Sequence, residues 1–142
     1  MTDRVEEALE TFTSNNCSQA VLATFGPELG LGRADCLRVA ACFGAGMGRL
    51  GRTCGALTGG FMVLGLRHAH EMQEAPGKGR DSVYGRVQAL AERFERAHGS
   101  IECRSLIGCD LRTEAGRREF AERGLHHGRC DELVAFVVRQ LG

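Results

Sequence analysis

The chain has 142 residues, which is long enough for one domain with an ordinary hydrophobic core and no stabilising disulfides. Its 18 basic and 18 acidic residues balance, and the basic ones are spread along predicted helices, which argues against nucleic acid or an anionic membrane as partner. We therefore predict a single domain over residues 1–142.

Seven cysteines are the most unusual feature of the composition. The N-terminal sequence lacks the basic, then apolar, then small-residue order of a secretory signal, and no apolar run is long enough to span a bilayer. These features predict a cytoplasmic protein that is not inserted into a membrane. Thiols in that compartment are kept reduced, so metal binding or redox chemistry explains the cysteines better than a disulfide framework.

Apolar residues at helical spacing, bounded by capping residues and glycines, predict helices along the chain. No stretch alternates with a period of two, so the expected fold is an all-α, compact bundle of about six to seven short helices without a sheet. Pro76-Gly77-Lys78-Gly79 is the one linker-like stretch. The predicted helices cover residues 3–13, 17–25, 34–43 and 53–75, then run from about 82 to 98, from 113 to 123 and from 129 to 141, with a single turn after residue 102.

A glycine-rich loop from Gly44 to Gly51 leads to a predicted helix start, with Thr53 as N-cap and Cys54 as the first helical residue. The positive end of the helix dipole favours a thiolate at that position. The loop matches a dinucleotide-binding pattern, but it follows a helix outside any βαβ unit, so we interpret it as shaping an anion or cluster pocket. Small residues leave one side of the following helix bare for a close neighbour. The predicted cofactor-binding glycines are Gly46, Gly48, Gly55 and Gly59.

Four cysteines share a predicted location at helix N-termini, although they are far apart in the sequence. Helix starts that point at one spot would supply N–H donors to a group of thiolates, as a cysteine-ligated iron–sulfur centre requires. The same location suits reactive thiols, so it does not separate metal binding from thiol–disulfide exchange. The predicted metal ligands are Cys17, Cys54, Cys103 and Cys130.

The remaining cysteines and a histidine pair are predicted to lie outside this site. Cys36 and Cys42 fall among small apolar neighbours in a short helix, which is typical of core residues. Cys109 stays open as an alternative to Cys103. The pair His126-His127 precedes a helix and is predicted to be solvated.

The segment Cys54-Gly55-Ala56-Leu57-Thr58-Gly59 resembles the Cys-Gly-Ala-x-x-Gly motif of the C_GCAxxG_C_C family of redox-active proteins. Asn16–Leu22 is similar to the family's N-terminal cysteine helix, Cys103–Gly108 to its third cysteine segment, and Cys130 to its last cysteine. The resemblance spans nearly the whole chain and implies a small helical redox protein with four characteristic cysteines. Related domains of split-Soret cytochromes suggest an iron–sulfur centre. Covalent haem is not implied, because the chain has no Cys-x-x-Cys-His.

Three functions are compatible with these residues. The first is electron transfer, to or from an unidentified partner, through an iron–sulfur cluster held by the four cysteines. The second is thiol–disulfide exchange on a thiol substrate, with Cys54 as the attacking thiolate and Cys103 as the second catalytic cysteine, so enzyme activity is an open question. The third is a structural zinc or metal-carrier module. The bare helix flank also allows a homodimer.

Overall fold

The computed structural model describes residues 3–142 and is built from helices, as the sequence predicts. Within that range there is no strand, only one antiparallel bridge between Thr53 and Glu102. Met1 and Thr2, on which the prediction of no signal sequence partly rests, lie outside the described residues. The segments are α1 Arg4–Phe12, α2 Cys17–Phe25, a 3₁₀ turn Pro27–Leu29, α3 Arg33–Val39, α4 Gly44–Met47, α5 Gly55–His68, α6 His70–Glu74, α7 Pro76–His98, α8 Cys103–Ile107, α9 Glu114–Glu122 and α10 Arg129–Leu141.

Segment α4 is not a regular helix, because three of its four residues, Ala45, Gly46 and Met47, have left-handed φ angles. Nine helices therefore remain in the described part of the chain, where six to seven were expected. None of them combines the length and apolar character needed to cross a membrane.

Three predicted helices have different bounds in the structure. The helix expected over 53–75 is divided at Ala69 into α5 and α6. The linker expected at residues 76–79 is the first turn of the 23-residue α7, because Pro76 at the first position needs no hydrogen-bond partner and has a suitable φ. Helix α3 ends at Val39 instead of residue 43. Just after this end, the Asn16 side chain donates to the Ala41 carbonyl oxygen at 3.0 Å.

Helix α5 occupies the centre of the molecule, and its small residues allow close packing on two sides. A Cβ at Gly59 would lie 2.7 Å from the Ser18 carbonyl oxygen of α2, and one at Gly60 would lie 2.9 Å from Val137 Cγ1 of α10. Thr58 donates to the Ser18 hydroxyl at 3.3 Å in the buried contact with α2. The bare flank predicted from the sequence is thus filled by two helices of the same chain, and this contact fixes the N-termini of α2 and α5 side by side.

The glycine-rich loop forms a left-handed turn over residues 45–49, whose φ angles are 57°, 65°, 67°, 62° and 71°. Three of these residues carry a side chain, and each costs roughly 1–2 kcal/mol in this conformation. The turn is closed by a hydrogen bond of 3.0 Å from the Arg52 amide to the Gly46 carbonyl. A Cβ at Gly46 would lie 2.7 Å from the Cys103 Cβ, so glycine is required where the turn meets α8.

Candidate functional site

Four thiols from distant parts of the chain line one cavity of about 170 Å³, whose wall is otherwise mainly apolar. Cys17 and Cys103 are the first residues of α2 and α8, and Cys130 is the second residue of α10, as predicted. Cys54 lies one position earlier than expected: it is the N-cap of α5, not its first residue. The structure therefore brings together the four cysteines that sequence reasoning selected.

Thr53 does not cap α5 as predicted, because its backbone pairs with the segment before Cys103. The Cys54 amide donates to the Ile101 carbonyl at 2.8 Å, and the Cys103 amide donates to the Arg52 carbonyl at 2.6 Å. These bonds cross-link the chain before α5 to the chain before α8. Two of the four thiols are consequently held in a fixed relation by backbone alone.

Backbone amides point at two of the sulfur atoms. The N–H groups of Ala45 and Ala56 favour the charged form of Cys17 and lower its pKa, and those of Ala56 and Leu57 do the same at Cys54. Ala45 belongs to the left-handed turn, and the other two donors belong to the first turn of α5. The strained loop therefore supplies a donor to the site, and N–H donors of this kind stabilise negative charge on sulfur.

Burial nevertheless raises the pKa of all four thiols. The pKa of Cys103 and the pKa of Cys130 are each raised to about 12, first by desolvation and then by the neighbouring Cys17, and the pKa of Cys54 also lies well above its ordinary value. The prediction that helix placement favours a thiolate at Cys54 was wrong for the protein without a bound group. Desolvation of the charged form outweighs the N–H donors there.

A stacked aromatic pair forms another part of the cavity wall. The rings of Phe12 and His126 lie 3.9 Å apart at an angle of 13°, and the His126 Nε2 is 2.9 Å from the Phe12 carbonyl oxygen. A carbonyl only accepts, so Nε2 carries a proton in this contact. The prediction of a solvated pair is wrong for His126, which is half-buried and lines the cavity, while His127 is exposed. No local pattern in the sequence indicated the stack.

Comparison with models of known protein families identifies the family of this chain. A family model described as "Putative redox-active protein (C_GCAxxG_C_C)" matches residues 15–142. The chain belongs to this family. No match was found among curated proteins or among solved structures.

Two of the four glycines predicted to contact a cofactor lie at the site of this C_GCAxxG_C_C protein. Gly55 lines the cavity, and a Cβ there would overlap the Cys17 sulfur; Gly46 lies against Cys103. Gly59 instead lies at the α2 contact, and Gly48 does not line the cavity. Glycine at position 55 therefore keeps space for a sulfur atom.

The other cysteines of this family member have separate environments. Cys36 is buried in the core, as predicted, and donates to the Leu31 carbonyl at 3.2 Å. Cys42 is exposed, contrary to prediction, because α3 ends before it. Cys109 is buried in a small cluster with Cys103 and Ile107 but does not line the cavity.

The donor set suits a soft metal or a metal–sulfur group, because all four candidate ligands are thiols. In residues 3–142, no three His, Cys, Asp or Glu side chains are grouped so that they could hold a metal ion as they stand. The thiols instead surround a cavity, and Gly55 lets the Cys17 sulfur lie directly against the start of α5. This arrangement fits a group that occupies volume between the sulfur atoms.

Proposed function

We propose that this protein transfers electrons through an iron–sulfur cluster bound in the four-cysteine cavity. The observation that carries the proposal is the convergence of four thiols, contributed by four helix starts, on one mainly apolar cavity. The residues that would hold the cluster are Cys17, Cys54, Cys103 and Cys130. When bound, such a group supplies electron transfer at a potential set by hydrogen bonds, charge and exposure.

The chain's own groups have separate roles in this proposal. The four thiols give up their protons when they become ligands. The amides of Ala45, Ala56 and Leu57 donate to sulfur and stabilise its negative charge. Phe12 and Leu133 are among the apolar side chains that line the cavity and reduce the access of water.

Burial argues against the thiol–disulfide alternative. Cys54 is 5% exposed and Cys103 is 9% exposed, so a partner disulfide has little access to either sulfur atom. Exchange also requires a thiolate, and desolvation keeps the pKa of both thiols high. Four thiols are also a ligand set for structural zinc, so zinc is the alternative that the metal assay below separates from a cluster.

Anaerobic purification, with a visible absorption spectrum and assays of iron and acid-labile sulfide, tests the proposal. We expect a brown protein that contains both iron and sulfide in a fixed ratio to the chain. The matched variants are Cys103→Ala, at the first residue of α8, and Cys109→Ala, just after its end, and each removes one buried thiol. Only Cys103→Ala is expected to lose iron and sulfide, because Cys109 does not line the cavity.

Each alternative gives a different result in the same experiment. Stoichiometric zinc without sulfide would identify a structural metal module. A colourless protein in which Cys54 and Cys103 form a reversible disulfide would support exchange chemistry. Loss of iron from Cys109→Ala but not from Cys103→Ala would contradict the ligand set proposed here.

A further inference from the structure

Exposed arginines surround a shallow groove on the outer side of the segment that carries Cys103. The groove is lined by Leu50, Arg52, Arg104 and Arg112 together with backbone and small polar groups, and Arg49, which directly precedes Leu50, is exposed. We call these five residues, Arg49, Leu50, Arg52, Arg104 and Arg112, the arginine rim.

Carboxylates offset only part of the positive charge of the arginine rim. Asp110 accepts hydrogen bonds from the Arg112 side chain at 3.0 and 3.1 Å and lies 3.6 Å from Arg104. Glu102, which is half-buried, also lines the groove. The four arginines and two carboxylates leave a formal excess of two positive charges, although the net charge of the whole chain is zero.

Arg49 and Arg52 form no ion pair with any carboxylate of residues 3–142. Both side chains are exposed, so their charges are available to a partner. Leu50 lies between them in the sequence and is 58% exposed, so it presents apolar area beside these charges. An apolar contact flanked by charges is typical of interfaces in which charge steers association and apolar area holds the complex.

The position of the arginine rim is set by the same backbone that forms the cavity. Arg49 is the last residue of the left-handed turn, whose first residue directs its amide at the Cys17 sulfur. The Arg104 amide donates to the Gly51 carbonyl at 3.2 Å, and the Cys103 amide donates to the Arg52 carbonyl at 2.6 Å. A protein seated on the rim would therefore stand directly behind one of the four thiols.

We infer that the arginine rim is the docking surface for an electron-transfer protein with an acidic face. This inference rests on the proposed function, because it assigns the partner of the same site. In the complex, one electron leaves the reduced partner and enters the four-cysteine centre near Cys103. The partner is oxidised by one electron, the centre is reduced by one, and no covalent bond is made or broken.

Binding can be measured separately from electron transfer, by titrating the isotope-labelled protein with an acidic flavodoxin and following its backbone amides by NMR. We expect the perturbed amides to lie at residues 49–52, 104–105 and 112. Raising the salt concentration from about 20 mM to about 200 mM should weaken binding by about tenfold or more, because the attraction acts between exposed charges. Basic cytochrome c, added as the opposite-charge probe, should perturb none of these amides.

Charge reversal provides the matched variants. The double variant Arg49→Glu and Arg52→Glu should weaken flavodoxin binding by about tenfold or more, because these charges are unpaired and exposed. The control, Arg80→Glu and Arg93→Glu, makes the same change of net charge on exposed positions of α7 and should bind like the unaltered protein.

Equal weakening by both double variants, perturbation of amides away from the rim, or no binding at low salt would each overturn the inference. Rim-specific binding by a protein that never acquires iron would leave the docking surface in place and refute the proposed function instead. A protein that contains iron and sulfide but shows no rim-specific binding would support the proposed function and refute the docking surface.

Discussion

Cys36 and Cys54 are both buried cysteines, exposed by 0% and 5%, yet their surroundings differ in kind. Both belong to the hydrophobic core, where Cys36 donates its proton to the Leu31 carbonyl oxygen at 3.2 Å. Cys54 lies at a cavity shared with three other thiols, and the amides of Ala56 and Leu57 point at its sulfur atom.

The groups that face the sulfur atom, not the degree of burial, separate these two cysteines. A sulfur atom that donates to a carbonyl must keep its proton, and it behaves as a small core residue. A sulfur atom that accepts from backbone amides is placed to carry negative charge, as a metal ligand must. The comparison predicts that equal substitutions at the two positions have opposite consequences for stability and for the bound group.

The largest expected effect is the loss of the bound group from Cys54→Ala. This variant should retain no stoichiometric iron after anaerobic purification, while the unfolding free energy of its metal-free form stays within about 1 kcal/mol of wild type, because the side chain borders a cavity. Cys36→Ala should retain iron, but its free energy of unfolding should fall by about 1–2 kcal/mol, since it leaves a core void and a buried carbonyl without its donor. Iron assays and urea denaturation measure both quantities. Retention of iron by Cys54→Ala would remove the distinction between the two cysteines.

A substitution at Gly55 sharpens the comparison without changing any thiol. The new Cβ of Gly55→Ala would overlap the Cys17 sulfur. We therefore expect the free energy of unfolding to fall by about 1–3 kcal/mol and most of the iron to be lost. Gly65→Ala is the matched control, because it lies on the same helix with open space around a new Cβ. The free energy of unfolding of that variant should rise by about 0.5–1 kcal/mol, and its iron should be kept. Similar losses in the two variants would show that helix α5 tolerates no substitution, whatever the distance from the thiols.

The pH dependence of the metal-free protein follows from the raised thiol pKa values. The pKa of Cys130 is raised from its ordinary value of 9.0 to about 12 by burial and by Cys17, so the folded state holds this proton more tightly than the unfolded state. Its contribution to stability is complete below pH 9 and is lost as the pH rises towards 12. Denaturation between about pH 9 and about pH 11 should therefore show falling stability, with a shallower slope in Cys130→Ala. Cys42→Ala, which removes an exposed thiol, serves as control, and an unchanged slope in Cys130→Ala would contradict the expectation.

The smallest expected effect concerns the left-handed turn beside the cavity. Arg49 is exposed and has φ +71°, so Arg49→Gly should stabilise the protein by about 0.5–1 kcal/mol, the relief of backbone strain exceeding the added unfolded-state entropy. Arg93→Gly removes an exposed arginine from α7 and should instead destabilise by about 1 kcal/mol, because glycine disfavours a helix. Thermal or urea denaturation of both variants measures whether each substitution raises or lowers stability. A loss of stability in Arg49→Gly would mean that the arginine side chain makes a stabilising contact in the turn.

The sequence by itself determined the helical fold class, most helix starts and the four cysteines that line the cavity. Caps, glycines and apolar spacing act within a few residues of the chain, so they can be read locally. The capping box of Asn16 and Gln19, for example, places Cys17 at the start of α2 by contacts over three residues.

Only the tertiary structure decided the chemical state of those cysteines and the rest of the cavity wall. The pKa of a buried thiol depends on everything that displaces water from it, and that displacement outweighs the local effect of the helix start. His126 joins the wall by stacking on Phe12, which lies 114 positions earlier in the chain. The non-glycine residues of the left-handed turn adopt their strained angles beside α8, to which backbone hydrogen bonds tie the end of the loop. Packing between distant residues, which no local pattern encodes, set each of these features.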